Sequence, residues 1–383
     1  MKEKLLRFGS YVLVAVLATL ATLTMVHLEV GLKPTKLDQL QALIEERFIG
    51  EADQVTLEDA AAEAMVKATG DRWSYYISAE EYEAHREQSE NAYVGVGITI
   101  QATEDDSGFL ILEVAAGGPA EEAGIQVQDL LIAVEDTDIR GMDMEDVRSL
   151  VKGKENTYVT LTVMRKGEHT SMSVQRRKVQ TPVATYEMLE DGIGLITIEN
   201  FDERCAEESI AAIEALLDAG ADKLIFDVRY NPGGYAEELV KLLDYLLPEG
   251  DLFRTVRYDG KEHVDTSDAD CLEIPMAVLV NESSYSAAEF FAAALQEYDA
   301  GVVVGEKTVG KGYFQITYNL SDGSAVSLSV GKYFTPKGVS LAETGVVPDV
   351  IVSVDEETAA GIYYDTLEPG EDPQIQAAMN LLK

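Results

Sequence analysis

Leu224-Ile225-Phe226-Asp227-Val228, followed by Arg229-Tyr230-Asn231-Pro232-Gly233-Gly234, decides the fold. The short, nearly continuous apolar run reads as a strand buried on both faces. Asn-Pro-Gly-Gly turns the chain, and a helix then runs to about Leu247. The same rhythm continues on either side. Gly194-Leu195-Ile196-Thr197-Ile198 is a strand, and Ile210, Ile213 and Leu217 mark a helix closed by Gly220. Ala277-Val278-Leu279-Val280 is a buried strand, Ser286 to Tyr298 a helix, and Gly301 to Val304 a strand again. Strand and helix in alternation predict an α/β core with a largely parallel sheet. In such sheets, sites gather at the carboxyl ends of strands.

The chain ahead of this core is organised differently. A glycine-bearing segment, Tyr93-Val94-Gly95-Val96-Gly97, runs into a strand at Ile98-Thr99-Ile100. Gly118 to Ile125 is a short helix with a glycine stop, Asp129 to Val134 a strand, and Met144 to Val151 a helix. Tyr158 to Met164 and Ser171 to Gln175 form a hairpin across Arg165-Lys166-Gly167-Glu168. Together these make one compact module. Further upstream, Leu37, Leu40, Ile44 and Phe48 recur at helical spacing. A second helix is expected from Thr56, with a capping-box-like Thr56-Leu57-Glu58-Asp59, to Gly70. A polar helix comes next, around Glu80 to Ser89.

Composition narrows the function. The 383 residues carry a net charge of −39, so an acidic surface repels phosphate backbones and nucleic acid is excluded as a partner. The hydrophobic fraction of 46% excludes disorder throughout. Two cysteines and four histidines, without zinc-ligand spacing, leave no structural metal site and no disulfide scaffold. Lys2, Lys4 and Arg7 precede an apolar run from about Tyr11 to Val26. A basic flank before such a run is an export address with the basic end inside. An uncleaved anchor fits better than a cleaved signal, since Thr19 and Ala21 as the cleavage signature leave a very short apolar core. Either way the remainder is expected outside the cytoplasm, where a Cys205–Cys271 bond is permitted but not implied.

Three strand ends could carry chemistry. After Val280 comes Asn281-Glu282-Ser283-Ser284-Tyr285-Ser286, with a helix starting at Ser286. A hydroxyl there sits beside unpaired N–H groups, which suits a nucleophile whose oxyanion needs donors; the plainer alternative is an N-cap. Gly310-Lys311-Gly312-Tyr313-Phe314-Gln315 has phosphate-loop spacing from Gly305, but Tyr313 to Leu320 alternates like a strand, whereas a phosphate loop must open a helix. A lysine tucked against apolar neighbours there would have a lowered pKa and could act as a base; a solvated lysine is the alternative. Gly233-Gly234 would let backbone N–H groups approach a ligand, or be a tight turn only. Of the histidines only His263 lies in the core, in a polar stretch away from strand ends, so a Ser-His-Asp site is poorly supported. No H-E-x-x-H motif occurs.

Taken together, these residues resemble the C-terminal processing peptidases, serine proteases with a Ser/Lys dyad and an inserted PDZ domain. The resemblance runs from about Thr35 to Lys383 through Asp71-Arg72-Trp73-Ser74 with Tyr82, the Tyr93–Gly97 and Gly118–Ile125 segments, and Asp227–Gly234. It continues through the serine loop and Gly310–Gln315 to Tyr333–Gly338 and Thr344–Asp349. It implies a membrane anchor or signal segment (1–34), an N-terminal helical region (35–91), a PDZ domain (92–178), a crotonase-like βαβ protease core (179–355) and a C-terminal tail and helix (356–383). It further implies Ser286 as nucleophile, Lys311 as base and Gln315 orienting the lysine. Ala287 and Gly233 or Gly234 would supply oxyanion donors, and no cofactor is needed. Val94, Gly95, Val96, Gly97 and Ile98, with Val147 and Leu150 on the facing helix, would take a protein C-terminus as an added strand. The sequence departs from the pattern at Tyr285, Ala288 and Arg72. Substrates would be proteins or peptides with accessible C-termini. The terminal helices could pair two copies or dock within one. The rival reading is a catalytically silent, anchored PDZ scaffold.

Overall fold

The structure is a computed structural model that describes Val16, Ala18, Thr19 and residues 34–383. The Tyr11–Val26 run therefore lies outside the described residues but for those three, and so does the predicted anchor. Among the described residues no helix is long and apolar enough to cross a membrane. The chain divides into two compact units, one ending at Gly70 and one spanning Asp71–Lys383. Residues 71–91, expected with the N-terminal helices, belong to the larger unit.

The first unit holds α1 (Lys36–Arg47) and α2 (Gln54–Lys67). Thr35 and Asp38 form a reciprocal cap at α1. The start of α2 lies two residues before the expected Thr56, because Asp53 is the cap: its carboxylate accepts from Thr56 N at 2.8 Å and from the Thr56 hydroxyl.

The larger unit opens with β1 (Tyr75–Ile77) and α3 (Ala79–Ser89), then β2 (Ala92–Gly95), β3 (Ile98–Ala102), β4 (Phe109–Val114), α4 (Pro119–Glu122), β5 (Leu130–Val134), β6 (Thr137–Asp138), α5 (Met144–Val151), β7 (Tyr158–Arg165), β8 (Glu168–Gln175) and β9 (Arg177–Gln180). The module's sheet has the order β3-β4-β5-β7-β8, with β6 on β5, while β2 pairs separately with β9. Its core is Phe109, Ile111, Leu131, Val147, Leu161 and Val163, all essentially inaccessible. β3 is an edge strand.

The remaining elements are β10 (Ala184–Met188), β11 (Ile193–Ile198), α6 (Cys205–Asp218), β12 (Lys223–Asp227), α7 (Ala236–Leu246), β13 (Gly250–Arg257), β14 (Glu262–Ser267), β15 (Met276–Val280), α8 (Ala287–Glu297), β16 (Gly301–Gly305), β17 (Tyr313–Asn319), β18 (Ala325–Phe334), β19 (Val350–Ile351), α9 (Glu356–Tyr363) and α10 (Pro373–Leu381). One sheet runs β10-β11-β12-β15-β16-β19 and is parallel from β11 to β19. Its central strand β15 is buried throughout, as a strand covered on both faces must be. On one face α6, α7 and α8 contribute Leu216, Leu242, Leu243, Phe290 and Phe291, and each such side chain gains about 1.5–3 kcal/mol by leaving water. On the other face α10 seats Ile375, Ala378 and Met379 against Ile225, Ala277 and Leu279. The terminal helix is thus docked on its own sheet.

A second, antiparallel sheet, β1-β18-β13-β14 with β17 also on β18, stands beside the first. Local sequence pattern does not announce most of it. Its strands mix polar and apolar residues, and β1, three residues long, pairs with β18 some 250 positions later, at Tyr75↔Ser327. Both cysteines are free, and burial pushes the Cys205 thiol up to about 12.

Candidate active site

Two strand ends are stitched into one platform. Ser284, fully buried, donates its hydroxyl to Val228 O at 2.7 Å and accepts from Asn281 N at 3.0 Å. Asn281 Oδ1 accepts from Tyr230 N at 3.0 Å, and Tyr285 N donates to Asn231 O at 3.2 Å. Asn231 is tied to β11 through Nδ2 and Ile198 O at 2.7 Å. On this platform Ser286 has φ 61° and ψ −121°, a conformation costly for a side-chain-bearing residue and held by the surrounding bonds. It caps α8, with its own N–H donating to Glu289 Oε2 at 3.0 Å.

Gly233 has φ 91°, and a Cβ there would lie 2.6 Å from Ser286 Cβ and 2.8 Å from Ala287 N. Only a glycine lets the two loops touch. The Gly233 N–H already donates to Asn231 Oδ1 at 2.8 Å. Among the described residues no intrachain acceptor takes the N–H of Gly234 or of Ala287, the first residue of α8. Of the oxyanion donors anticipated from sequence, those two retain a free N–H, and Gly233 does not.

Lys311 lies on the loop before β17 and lines the same cleft as Ser286, Ala287, Gly233, Gly234 and Gln315, a cavity of about 1140 Å³. The loop leads into a strand, which sets it apart from a phosphate loop. Burial lowers the lysine to about 8, partly opposed by the charges of Glu289 and Asp71. Tyr333, 3% exposed, donates its hydroxyl to Lys311 O. Burial and the Glu289 charge hold that hydroxyl well above its ordinary value, with a hydrogen bond to Ser286 acting the other way.

Glu289 is the hub of the site, a role its place in the sequence does not disclose. It is fully buried. Oε1 accepts from Thr308 Oγ1 (2.5 Å) and Gly310 N (2.6 Å), and Oε2 from Ser286 N (3.0 Å) and Lys311 N (2.9 Å). One carboxylate therefore fixes the serine loop against the lysine loop. The available signal was the Ser-x-x-Glu spacing of a capping box.

Gln315 has other partners than the expected lysine. Its Nε2 donates to Ser329 Oγ at 2.9 Å and Tyr313 O at 3.2 Å. Ser329 N donates to Ser74 Oγ (2.9 Å), and Ser74 donates to Asp71 Oδ2 (2.5 Å). This line of bonds seats Asp71-Arg72-Trp73-Ser74 at the cleft. Burial alone would raise the Asp71 carboxyl, but bonds from Ser329 and Ser74 carry it below its usual value.

Behind the glycine turn, Arg229 is buried between Asp227 (2.5 Å) and Asp372 (2.7 Å), and it also donates to Gln374 Oε1 at 2.9 Å. Burial would lower its pKa, yet the two carboxylates hold it above the ordinary value. Asp372 also caps α10, tying that helix to the turn.

His263 pairs with Asp265 at 3.0 Å, with its imidazole 71% exposed. Among the described residues no His, Cys, Asp and Glu group could hold a metal. In the module, Gly95 and Val96 are buried, Val94 and Ile98 half-buried, and Gly97 takes φ 78° where the chain turns into β3. Leu150 is half-buried on α5. Val147, expected to meet a bound C-terminus, is 0% exposed inside the module's core, because it is on the inward face of the helix.

Comparison with known proteins identifies the core and the module. Residues 192–352 match the profile of Peptidase family S41, and residues 110–165 match a PDZ domain. A "Probable CtpA-like serine protease" of Staphylococcus aureus strain N315 is 30% identical over 335 residues, covering 86% of this chain and 67% of the relative. The protein of the same name from strain COL is 29% identical over 368 residues, covering 94% and 74%. A solved structure from Bacteroides fragilis, assigned to the S41 proteases, shares the fold at TM-score 0.52 and 18% identity, over 83% of this chain and 89% of that one. The chain is a serine-type peptidase and belongs to the C-terminal processing peptidases of family S41.

Proposed function

We propose that this peptidase is an extracytoplasmic endopeptidase, anchored by its N-terminal apolar segment, that takes protein C-termini through the PDZ module and cleaves with Ser286 and Lys311. The observation that carries the catalytic reading is the shared cleft. A serine in a strained conformation at a helix start, two unclaimed N–H groups and a lysine lowered by burial to about 8 all line it.

Neutral Lys311 takes the proton from Ser286 as Oγ attacks the scissile carbonyl. The tetrahedral oxyanion rests on the N–H groups of Ala287 and Gly234, which the serine loop and the glycine turn hold in place beforehand. The lysine ammonium gives its proton to the leaving amine. A water molecule, deprotonated by the same lysine, then releases the acyl group. Lysine suits this duty when its pKa is near the working pH, and burial supplies that shift at about 1.4 kcal/mol per unit. Gln315 and Ser329 secure the β17–β18 floor and the segment that reaches over the lysine.

Capture of a C-terminus is supported by the free edge of β3, by the Val96-Gly97 turn at its start and by half-buried Leu150 on α5. Anchoring is supported by Lys2, Lys4 and Arg7 ahead of the apolar run; secretion after signal cleavage is the other outcome.

The test uses the full chain in detergent micelles with a protein carrying an unstructured apolar C-terminal tail. Cleavage by wild type, lost in Ser286→Ala and Lys311→Ala, supports the dyad. Cleavage surviving Lys311→Ala removes the lysine from the mechanism. Tail binding without cleavage by wild type points to the silent scaffold. Blocking the tail's terminal carboxylate as an amide distinguishes C-terminal capture from general binding.

A further inference from the structure

Arg72 and Tyr285 depart from the family pattern, and Trp73 is the chain's single tryptophan. The proton transfers between Ser286 and Lys311 give none of the three a task, yet they gather over Lys311. The rings of Trp73 and Tyr285 stack with centroids 5.9 Å apart and planes inclined by 27°. Lys311 Nζ lies 5.0 Å from the Trp73 centroid and 5.9 Å from that of Tyr285. The Arg72 guanidinium covers Trp73 at 4.1 Å. Both rings are fixed by their backbones: Trp73 N donates to Asp71 Oδ1 at 3.1 Å, and Tyr285 N to Asn231 O at 3.2 Å. Among the described residues Nζ makes no hydrogen bond, and both ring faces lie within cation–π reach of it.

We propose that Trp73 and Tyr285 are positioning residues, an aromatic clamp that holds the Lys311 amine in the cleft and favours its ammonium form. This rests on reading Lys311 as the base. An ammonium within about 6 Å of an aromatic centroid is attracted to the ring face, whereas a neutral amine gains little. The charged and titratable groups facing Lys311 are Glu289 and Asp71, with Arg72 behind the indole and the hydroxyls of Tyr285 and Tyr333 beside it. Glu289 and Asp71 pull in the same direction as the rings, and burial opposes all of them. The clamp also places the proton acceptor: with one ring removed, Nζ has more rotamers open to it.

Trp73 is its own reporter, since a charge appearing 5.0 Å from the only indole alters its emission. The full chain is titrated by tryptophan fluorescence, with kcat/KM on the tail substrate measured in parallel. A step near pH 8 is expected in wild type and absent in Lys311→Met. Tyr285→Leu keeps the bulk but loses the ring face, and moves the step down by about 0.4 pH unit, roughly a 2.5-fold change in the protonation constant. Tyr285→Phe keeps the face and leaves the step in place. The limb of kcat/KM moves with the fluorescence step in each case. No Lys311-dependent step, an upward shift in Tyr285→Leu, or equal behaviour of Leu and Phe overturns the clamp. If the step and its shifts appear while Lys311→Met still cleaves, the clamp holds and the base assignment falls.

Discussion

Replacing Glu289 by Gln tests whether one carboxylate organises the site. The side chain is fully buried, and each of its oxygens takes two donors. An amide turns one oxygen into an NH₂ group that faces two donors, whichever way it is flipped. Either Ser286 N and Lys311 N, or Thr308 Oγ1 and Gly310 N, lose their acceptor. Hydrogen bonds to a charged group contribute about 1.5–3 kcal/mol each, so the loss comes to about 3–6 kcal/mol. Breaking a buried charged network by removing one partner costs about 3–5 kcal/mol, in agreement. With an unfolding entropy of about 2.1 cal/mol/K per residue, a chain of 383 residues shifts by about 1.2 °C per kcal/mol, so Tm falls by about 4–7 °C. Removing the negative charge also removes a contribution that raises the Lys311 pKa, so the rise of kcat/KM moves to lower pH. Circular-dichroism melting and a pH series on one peptide substrate measure both effects. A Tm within about 2 °C of wild type together with kcat/KM within about 3-fold would refute the reasoning, because it would mean the four donors are content with an amide.

The same geometry sets three further outcomes. With Lys311 lowered to about 8, kcat/KM should climb about tenfold per pH unit below that value and level above it, since the base must be neutral; a flat profile across that range would count against it as base. Gly233→Ala puts a Cβ 2.6 Å from that of Ser286 at φ 91°, and should lower kcat/KM by about 100-fold or more through displacement of the oxyanion donors, seen in steady-state kinetics. Asp372→Ala strips Arg229 of one of two buried carboxylates and uncaps α10; urea unfolding should show a loss of about 3–5 kcal/mol, and a change under about 0.5 kcal/mol would contradict the pairing.

The parallel core was legible because its strands are apolar on both faces and its helices have clear stops, as at Gly220. The serine and lysine loops were legible by their place at strand ends. Of the antiparallel sheet only β17 was legible, from the alternation after Tyr313; β13 and β14 carry mixed residues, and β1 and β13 pair with β18 across long stretches of sequence. Glu289 was visible as a letter, but its role depends on Thr308, Gly310 and Lys311 coming to meet it. Trp73 lies more than 200 positions from both Tyr285 and Lys311, and nothing local in Asp71-Arg72-Trp73-Ser74 announces that it roofs an amine. Val147 is buried in the module's core, and helical spacing alone does not say which of two apolar positions on one helix turns inward.

The bond between Arg229 and Asp372 has a consequence for the order of events in folding. The two residues are separated by 143 positions, and the guanidinium lies immediately before the turn that presents Gly233 and Gly234. Until residue 372 is in place, that arginine has only Asp227 to balance it in a dry interior, and the face of the sheet that α10 covers is bare. The turn beside Ser286 therefore waits for that helix to dock. Completion of the turn that presents the oxyanion donors is thereby coupled to docking of the C-terminal helix, so the last helix to be placed is also the one that finishes the active site.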